Sequence, residues 1–186
     1  MTKKNLLNNY SKSIYSQFGE DGILLEILNR LGKENLDHWC VEFGARDGIS
    51  DSNTYNLIKN HNYKAVLIEG DEIYYKKLCK NFQNDSVIKI NKYVNFSGEN
   101  KLDNILLNTK ISKNFNFLSI DIDGCDYHIL NSLIEYRPKI ICIEFNHFIP
   151  NSVEFIQKKN FNIKQGSSAK SLVKLGATKG YSLIAS

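Results

Sequence analysis

The chain has 186 residues, 42% hydrophobic and 24% charged, with a formal net charge of +4. That length suits one domain with a real core, and the balance excludes the disordered, collagenous and disulfide-framed classes. The charge comes from scattered lysines, with Arg30, Arg46 and Arg137 the only arginines, so nucleic acid is not an expected partner.

Cys40, Cys79, Cys125 and Cys142 fall far apart with no C-x-x-C pair. Reduced, mostly buried thiols fit that spacing better than a disulfide frame or a zinc site. The opening MTKKNLLNNYSKSIYSQ is basic but never becomes the apolar core of a secretory leader. No apolar run approaches the roughly 20 residues that cross a bilayer. A cytoplasmic protein without membrane contact is expected.

Ile23, Leu24, Ile27, Leu28 and Leu31 repeat at helical spacing and stop near Gly32. Residues 39–43 read as a first buried strand. Asp51 or Ser52 can cap the next helix, whose apolar positions are Tyr55, Leu57 and Ile58. Residues 64–68 form a second strand closing on Glu69-Gly70-Asp71, followed by a helix with Ile73, Tyr74, Lys77 and Leu78. A third strand spans 86–91, and Leu102, Ile105 and Leu106 suggest a helix. A fourth strand spans 115–121, a helix 127–133, and a fifth strand 139–145. Residues 146–166 are irregular, 169–179 read as a helix, and GYSLIAS as a sixth strand ending at Ser186.

Continuous apolar strands separated by helices predict a doubly wound α/β fold with a mostly parallel, Rossmann-like sheet. One domain over 1–186 is expected. It comprises a helical cover (1–35), a cofactor-binding core (36–147), an acceptor lid (148–166) and a last helix and strand (167–186).

In such a sheet, ligands bind beyond the carboxyl ends of the strands, where strand order reverses. Glu42 and Gly44, Glu69, Asn91, Asp121 and Asp123, then Glu144, Asn146 and His147 all fall at those ends. The turn Gly44-Ala45-Arg46-Asp47-Gly48 is not the G-x-G-x-x-G of dinucleotide sites. Asp47 and Asp51 would crowd a pyrophosphate with negative charge. A cofactor without phosphate, such as S-adenosylmethionine, fits better, with Glu69 free to accept from both ribose hydroxyls.

The segments YSQFGEDGIL, VEFGARDG, FLSIDIDGCDYHIL, IICIEFN and SLVKLGATKGYSLI, with VLIEGD, resemble FkbM-like class I S-adenosylmethionine-dependent methyltransferases in the same order. The resemblance implies that Glu42, Gly44, Ala45 and Gly48 line the methionine side of the cofactor. It implies that Glu69 and Gly70 meet the ribose, that Asn91 and Tyr93 flank the adenine, and that Asp121 faces the sulfonium and the acceptor. It also implies O-methylation of a sugar or other small hydroxylated metabolite. Two departures stand out: Arg46 fills a position usually small or amide-bearing, and the chain stops without a complete strand-6/strand-7 hairpin. An uncovered sheet edge would favour a homo-oligomer.

A hydroxyl acceptor needs a base or a metal near neutral pH. Asp123, Glu144 and Asn146 could hold magnesium through oxygen ligands. The alternative is that Asp121 bonds the cofactor and Asp123 caps the helix after Cys125. His147 is the best metal-free base; His128 reads as packed or solvated, and His38 and His61 fall on the opposite edge. In YSQFGEDG, either Ser16 and Glu20 start a helix with Phe18 packed on the sheet, or Gln17 and Glu20 fold over the cofactor. Tyr10, Tyr15, Phe145, Phe148 and Ile149 could wall the acceptor. Two other functions remain open: a nicotinamide-dependent oxidoreductase, disfavoured by the loop, and a degenerate domain that binds or assembles.

Overall fold

Strand β1 (Trp39–Phe43) pairs in parallel with β2 (Lys64–Glu69) on one side and β4 (Phe117–Ile120) on the other. β3 (Val87–Asn91) and β5 (Ile140–Ile143) extend the sheet outwards, giving the order β3-β2-β1-β4-β5. Strand order therefore reverses between β1 and β4. The computed structural model describes residues 6–186, so the first five residues of the expected 1–35 cover lie outside them.

The strands are continuously apolar because alternate side chains serve two cores. Val41, Phe43, Val66, Ile68, Leu118 and Ile120 face α4 (Leu102–Leu107), α5 (Asp126–Ser132) and α6 (Ala169–Thr178). Cys40, Ala65, Leu67 and Phe117 face α1 (Glu20–Leu31), α2 (Tyr55–His61) and α3 (Glu72–Asn81). Each large apolar side chain buried this way is worth about 1.5–3 kcal/mol. The central strands are thus the least free to move, and the loops at their carboxyl ends are held on a rigid frame.

Local chemistry sets the element ends. Asp71 caps α3 by accepting from the backbone N–H groups of Ile73 and Tyr74. At α2 the N-cap position is Thr54, and the Ser52 hydroxyl just before it accepts from the backbone N–H groups of Thr54 and Tyr55. Asp51 does not cap; it takes a left-handed φ of 58° and faces Arg46 at 3.8 Å. Asp123 does not cap α5 either. Asp126, at the first turn, accepts from the N–H groups of Ile122 (2.9 Å) and Gly124 (2.8 Å) and so closes the loop before the helix.

The expected sixth strand is absent. Residues 181–186 are not in the sheet; Tyr181 donates to the Pro138 carbonyl and Asn8 to that of Ser186. Leu183 and Ile184 are more than half exposed. An alternating apolar run becomes a strand only where a neighbour supplies ladder bonds. Among the described residues nothing pairs with the outer edge of β5. No helix among them is long and apolar enough to cross a membrane.

Candidate functional site

At the reversal point, Gly44 turns the chain out of β1 with φ +68°, and a Cβ there would sit 2.5 Å from the Asp121 carbonyl oxygen. Only glycine allows the two strand ends to approach this closely. Ala45 donates its N–H to Ile68, and Gly48, at φ +75°, is packed against Leu78 and Phe82 on the far side of the loop.

Glu42 is buried and fully engaged. Ser52 and Thr54 hydroxyls each donate to Oε2 at 2.6 Å, and the Asn53 N–H donates to Oε1 at 2.9 Å. Burial raises its pKa, and those three donors oppose the shift. Ser119 lies opposite Glu42 on β4 and accepts from the Asn53 side-chain amide at 3.1 Å. Ser52 was expected only as a helix cap, and Asn53 and Thr54 were not singled out in the sequence; the signal available was a buried acid on β1 followed ten residues later by three hydroxyl or amide residues.

Glu69 is also buried. Its oxygens accept from the backbone N–H groups of Arg46 (2.6 Å) and Asp71 (2.7 Å). Each oxygen keeps a second lone pair. Asn91 donates its amide to the carbonyl of Glu69 at 2.8 Å, tying β3 to β2. Gly70 lies under the Tyr93 ring, where a Cβ would come within 2.5 Å, and that ring is otherwise exposed. Arg46 reaches over Tyr74 at 5.2 Å.

Asp121, Asp123 and Glu144 converge beyond β4 and β5, with one carboxylate oxygen from each within 4.8 Å of the others. Of the expected trio, Asp123 and Glu144 are thus together, joined by Asp121; the Asn146 amide donates to the Gln165 carbonyl and its oxygen accepts from the Phe148 N–H. Asp121 and Glu144 face each other across the ends of β4 and β5. Desolvation first and the Asp121 charge second push Glu144 up to about 7; desolvation and Asp123 raise Asp121. Lys164 approaches Asp123 at 3.7 Å. His147 is exposed, its ring 4.0 Å from that of Phe148.

In the amino-terminal motif, Glu20 accepts from the Phe18 N–H. Phe18 is 81% exposed rather than packed on the sheet. Asp21, which was missed, folds the loop: one of its oxygens accepts from Ile14, Tyr15 and Ser16 at 2.7–2.8 Å. Tyr15 packs on Tyr55 and Tyr10 lies under Arg30, so neither is spare to wall an acceptor. Within the expected lid, the buried Gln157 accepts from the N–H groups of Gln165 and Gly166, and its carbonyl meets the His128 ring at 2.6 Å. His128 is thus packed, and the second half of the lid is fastened to α5. A cavity of about 490 Å³ lies away from this edge, between Leu133, Tyr136, Arg137 and Tyr181.

The fold and its acidic edge define a Rossmann-like α/β domain with its polar residues gathered where strand order reverses. Residues 98–162 match the family model described as Methyltransferase FkbM domain. Over that segment the chain is similar to that family, as its motifs suggested, and the match takes in the carboxyl ends of β4 and β5 but not those of β1 and β2. No curated protein matches the chain. Solved structures similar to it include the following three. One is a candidate sarcosine dimethylglycine methyltransferase from Galdieria sulphuraria (12% identity, 66% of this chain and 45% of that one, TM-score 0.45). The others are the glycopeptide N-methyltransferase MtfA with (S)-adenosyl-L-methionine (13%, 72% and 57%, 0.44) and with sinefungin (13%, 81% and 59%, 0.44). The chain spans about half the length of these structures.

Proposed function

We propose that this chain transfers a methyl group from S-adenosylmethionine to a hydroxyl of a small metabolite, a sugar being the acceptor that the family resemblance favours. The observation that carries the reading is the Asp121–Glu144 pair beside the Gly44 turn. A carboxyl pushed up to about 7 next to the strand reversal suits removal of a proton from an acceptor near neutral pH. The bound cofactor would supply an electrophilic methyl on a sulfonium, which acidic neighbours tolerate and a pyrophosphate would not.

The residues present fit that cofactor. Gly44, Ala45 and Gly48 shape the turn, Glu69 and Gly70 offer acceptor lone pairs for a ribose, and Asn91 with Tyr93 would flank the adenine. Glu42 supports the methionine side and Asp121 faces the reacting centre. Magnesium, if used, would be held by Asp121, Asp123 and Glu144. His147 would then be an auxiliary base, and His147→Ala should lower turnover while leaving cofactor affinity intact.

Calorimetric titration with S-adenosylhomocysteine tests the reading. Micromolar binding that is lost in Glu69→Ala is expected; no binding by the intact chain would overturn it. One observation favours a second reading, a domain that keeps the fold and only binds or assembles: the carboxylates of Glu42 and Glu69 already accept from the protein. The unpaired outer edge of β5 is where a second copy would add, and light scattering would detect it.

A further inference from the structure

We infer that Asn53 receives the α-ammonium group of the cofactor, and that Glu42 is a positioning residue that holds Asn53 in place. This inference rests on the methyltransferase reading.

Glu42 occupies the place where an acid would be expected to meet the cofactor directly, yet it is buried and already satisfied. Two hydroxyls and one backbone N–H point into its carboxylate at 2.6–2.9 Å. All three come from consecutive residues, Ser52, Asn53 and Thr54. The carboxylate therefore works as a template that fixes the path of the loop entering α2. The residue whose side chain this loop turns towards β4 is Asn53.

Two bonds hold Asn53. Its backbone N–H is fixed on Glu42, and its side-chain Nδ2 donates to the Ser119 hydroxyl at 3.1 Å. That second bond sets the direction of the amide, because Ser119 lies on β4 two residues before Asp121. With Nδ2 committed, Oδ1 is left without a partner among the described residues. Asn53 is half-buried, so the oxygen is not stranded in the core. It is an oriented acceptor between β1 and β4, the one place in the sheet where strand order reverses.

An ammonium has donors only, and needs acceptors that are fixed before it arrives. A neutral amide oxygen on a side chain held from both sides supplies one. Bonds to charged partners are the strong class of hydrogen bond, so losing this one should be visible in affinity.

The experiment is calorimetry with three ligands on the whole chain: S-adenosylhomocysteine, its decarboxylated analogue, which keeps the ammonium, and 5′-methylthioadenosine, which has neither group. Asn53→Ala should weaken the first two by about tenfold or more and leave the third unchanged. Ser119→Ala, which frees the amide to turn while keeping Asn53, should give the same pattern with a smaller loss. It decides the matter if Asn53→Ala does not fold. Equal loss for all three ligands would mean a structural role and overturn the inference, as would no loss. A loss confined to S-adenosylhomocysteine would place the amide on the carboxylate instead and also overturn it. If the wild-type chain binds none of the ligands, the cofactor reading fails and this inference goes with it.

Discussion

The Glu69 carboxylate accepts from the backbone N–H of Arg46 at 2.6 Å, so the acid at the end of β2 holds the loop that leaves β1. Its other oxygen takes the N–H of Asp71 at 2.7 Å, just before α3. One buried side chain thus joins two loops on neighbouring strands. It explains how Arg46, a bulky residue at φ +49°, is accommodated in a turn that favours small ones. Its side chain points outward over Tyr74, and its backbone is what the site uses.

Glu69→Ala should therefore cost stability as well as cofactor affinity. Two backbone donors would lose their acceptor, at about 1–3 kcal/mol each where they stay buried. Urea denaturation should show a loss of about 2–6 kcal/mol, and Glu69→Gln, which keeps one acceptor oxygen, a smaller one. If Glu69→Ala is as stable as the wild type, the two loops are not held by this residue.

The carboxyl cluster makes a prediction about pH. Glu144, exposed at the strand end, is pushed up to about 7 by local desolvation and by the charges of Asp121, Asp126 and Asp123, and the buried Asp126 up to about 6 chiefly by burial. A carboxyl whose folded pKa exceeds its unfolded value binds more protons when folded. Stability then falls as pH rises from the unfolded pKa, about 4, through the folded one. The chain should be less stable at pH 7.5 than at pH 5.5, and Glu144→Gln should flatten that slope in part, Asp126 keeping the rest. Thermal melts across that range check it; a slope of opposite sign in the wild type would show that the cluster is not desolvated.

The same carboxyls predict metal behaviour. Oxygen atoms of Asp121, Asp123 and Glu144 within 4.8 Å of one another suit a hard divalent ion, which must displace a proton from Glu144, pushed up to about 7. Manganese titration should give heat that grows between pH 6 and 8 and disappears in Asp123→Asn. Asn146→Ala should leave the heat intact, since that amide is occupied by Gln165 and Phe148. Absence of heat in the wild type at pH 8 would remove the metal from the proposal.

The strands were legible because each is a continuous apolar run; β1 lies where its residues predict, and the others differ by a residue or two at their ends. Glu42, Glu69, Asp121 and Glu144 could be placed on one edge because strand ends follow from strand positions. What a one-dimensional pattern cannot carry is how an acid's oxygens are spent. Glu42 and Glu69 have the same signature as free ligand acceptors, yet both are tied up by backbone and hydroxyl groups of loops that have no periodicity of their own. Asp21, Asp126 and Gln157 were missed for the same reason, since each satisfies N–H groups within irregular segments. GYSLIAS alternates like a strand, but strand formation depends on a neighbour, and its own residues do not encode one.

The turn after β1 also predicts a contrast between two glycines that share a left-handed backbone. Gly48 has φ +75° and Gly98 φ +71°, so alanine at either carries the same conformational penalty, about 1–2 kcal/mol. Around Gly98 a Cβ would meet nothing within 4 Å. At Gly48 it would come 2.5 Å from Phe82, 2.6 Å from Leu78 and 3.2 Å from Leu67, side chains that are themselves buried. Overpacking of that kind adds about 1–3 kcal/mol. Gly48→Ala should therefore be the more destabilised of the two in urea by about that difference. The strain is also directed: moving away from α3 shifts the loop that presents Ala45 and Arg46 to β2. Cofactor affinity should thus fall in Gly48→Ala and stay unchanged in Gly98→Ala. Equal stability of the two variants would show that α3 yields to the extra methyl, and the loop would then keep its hold on Glu69.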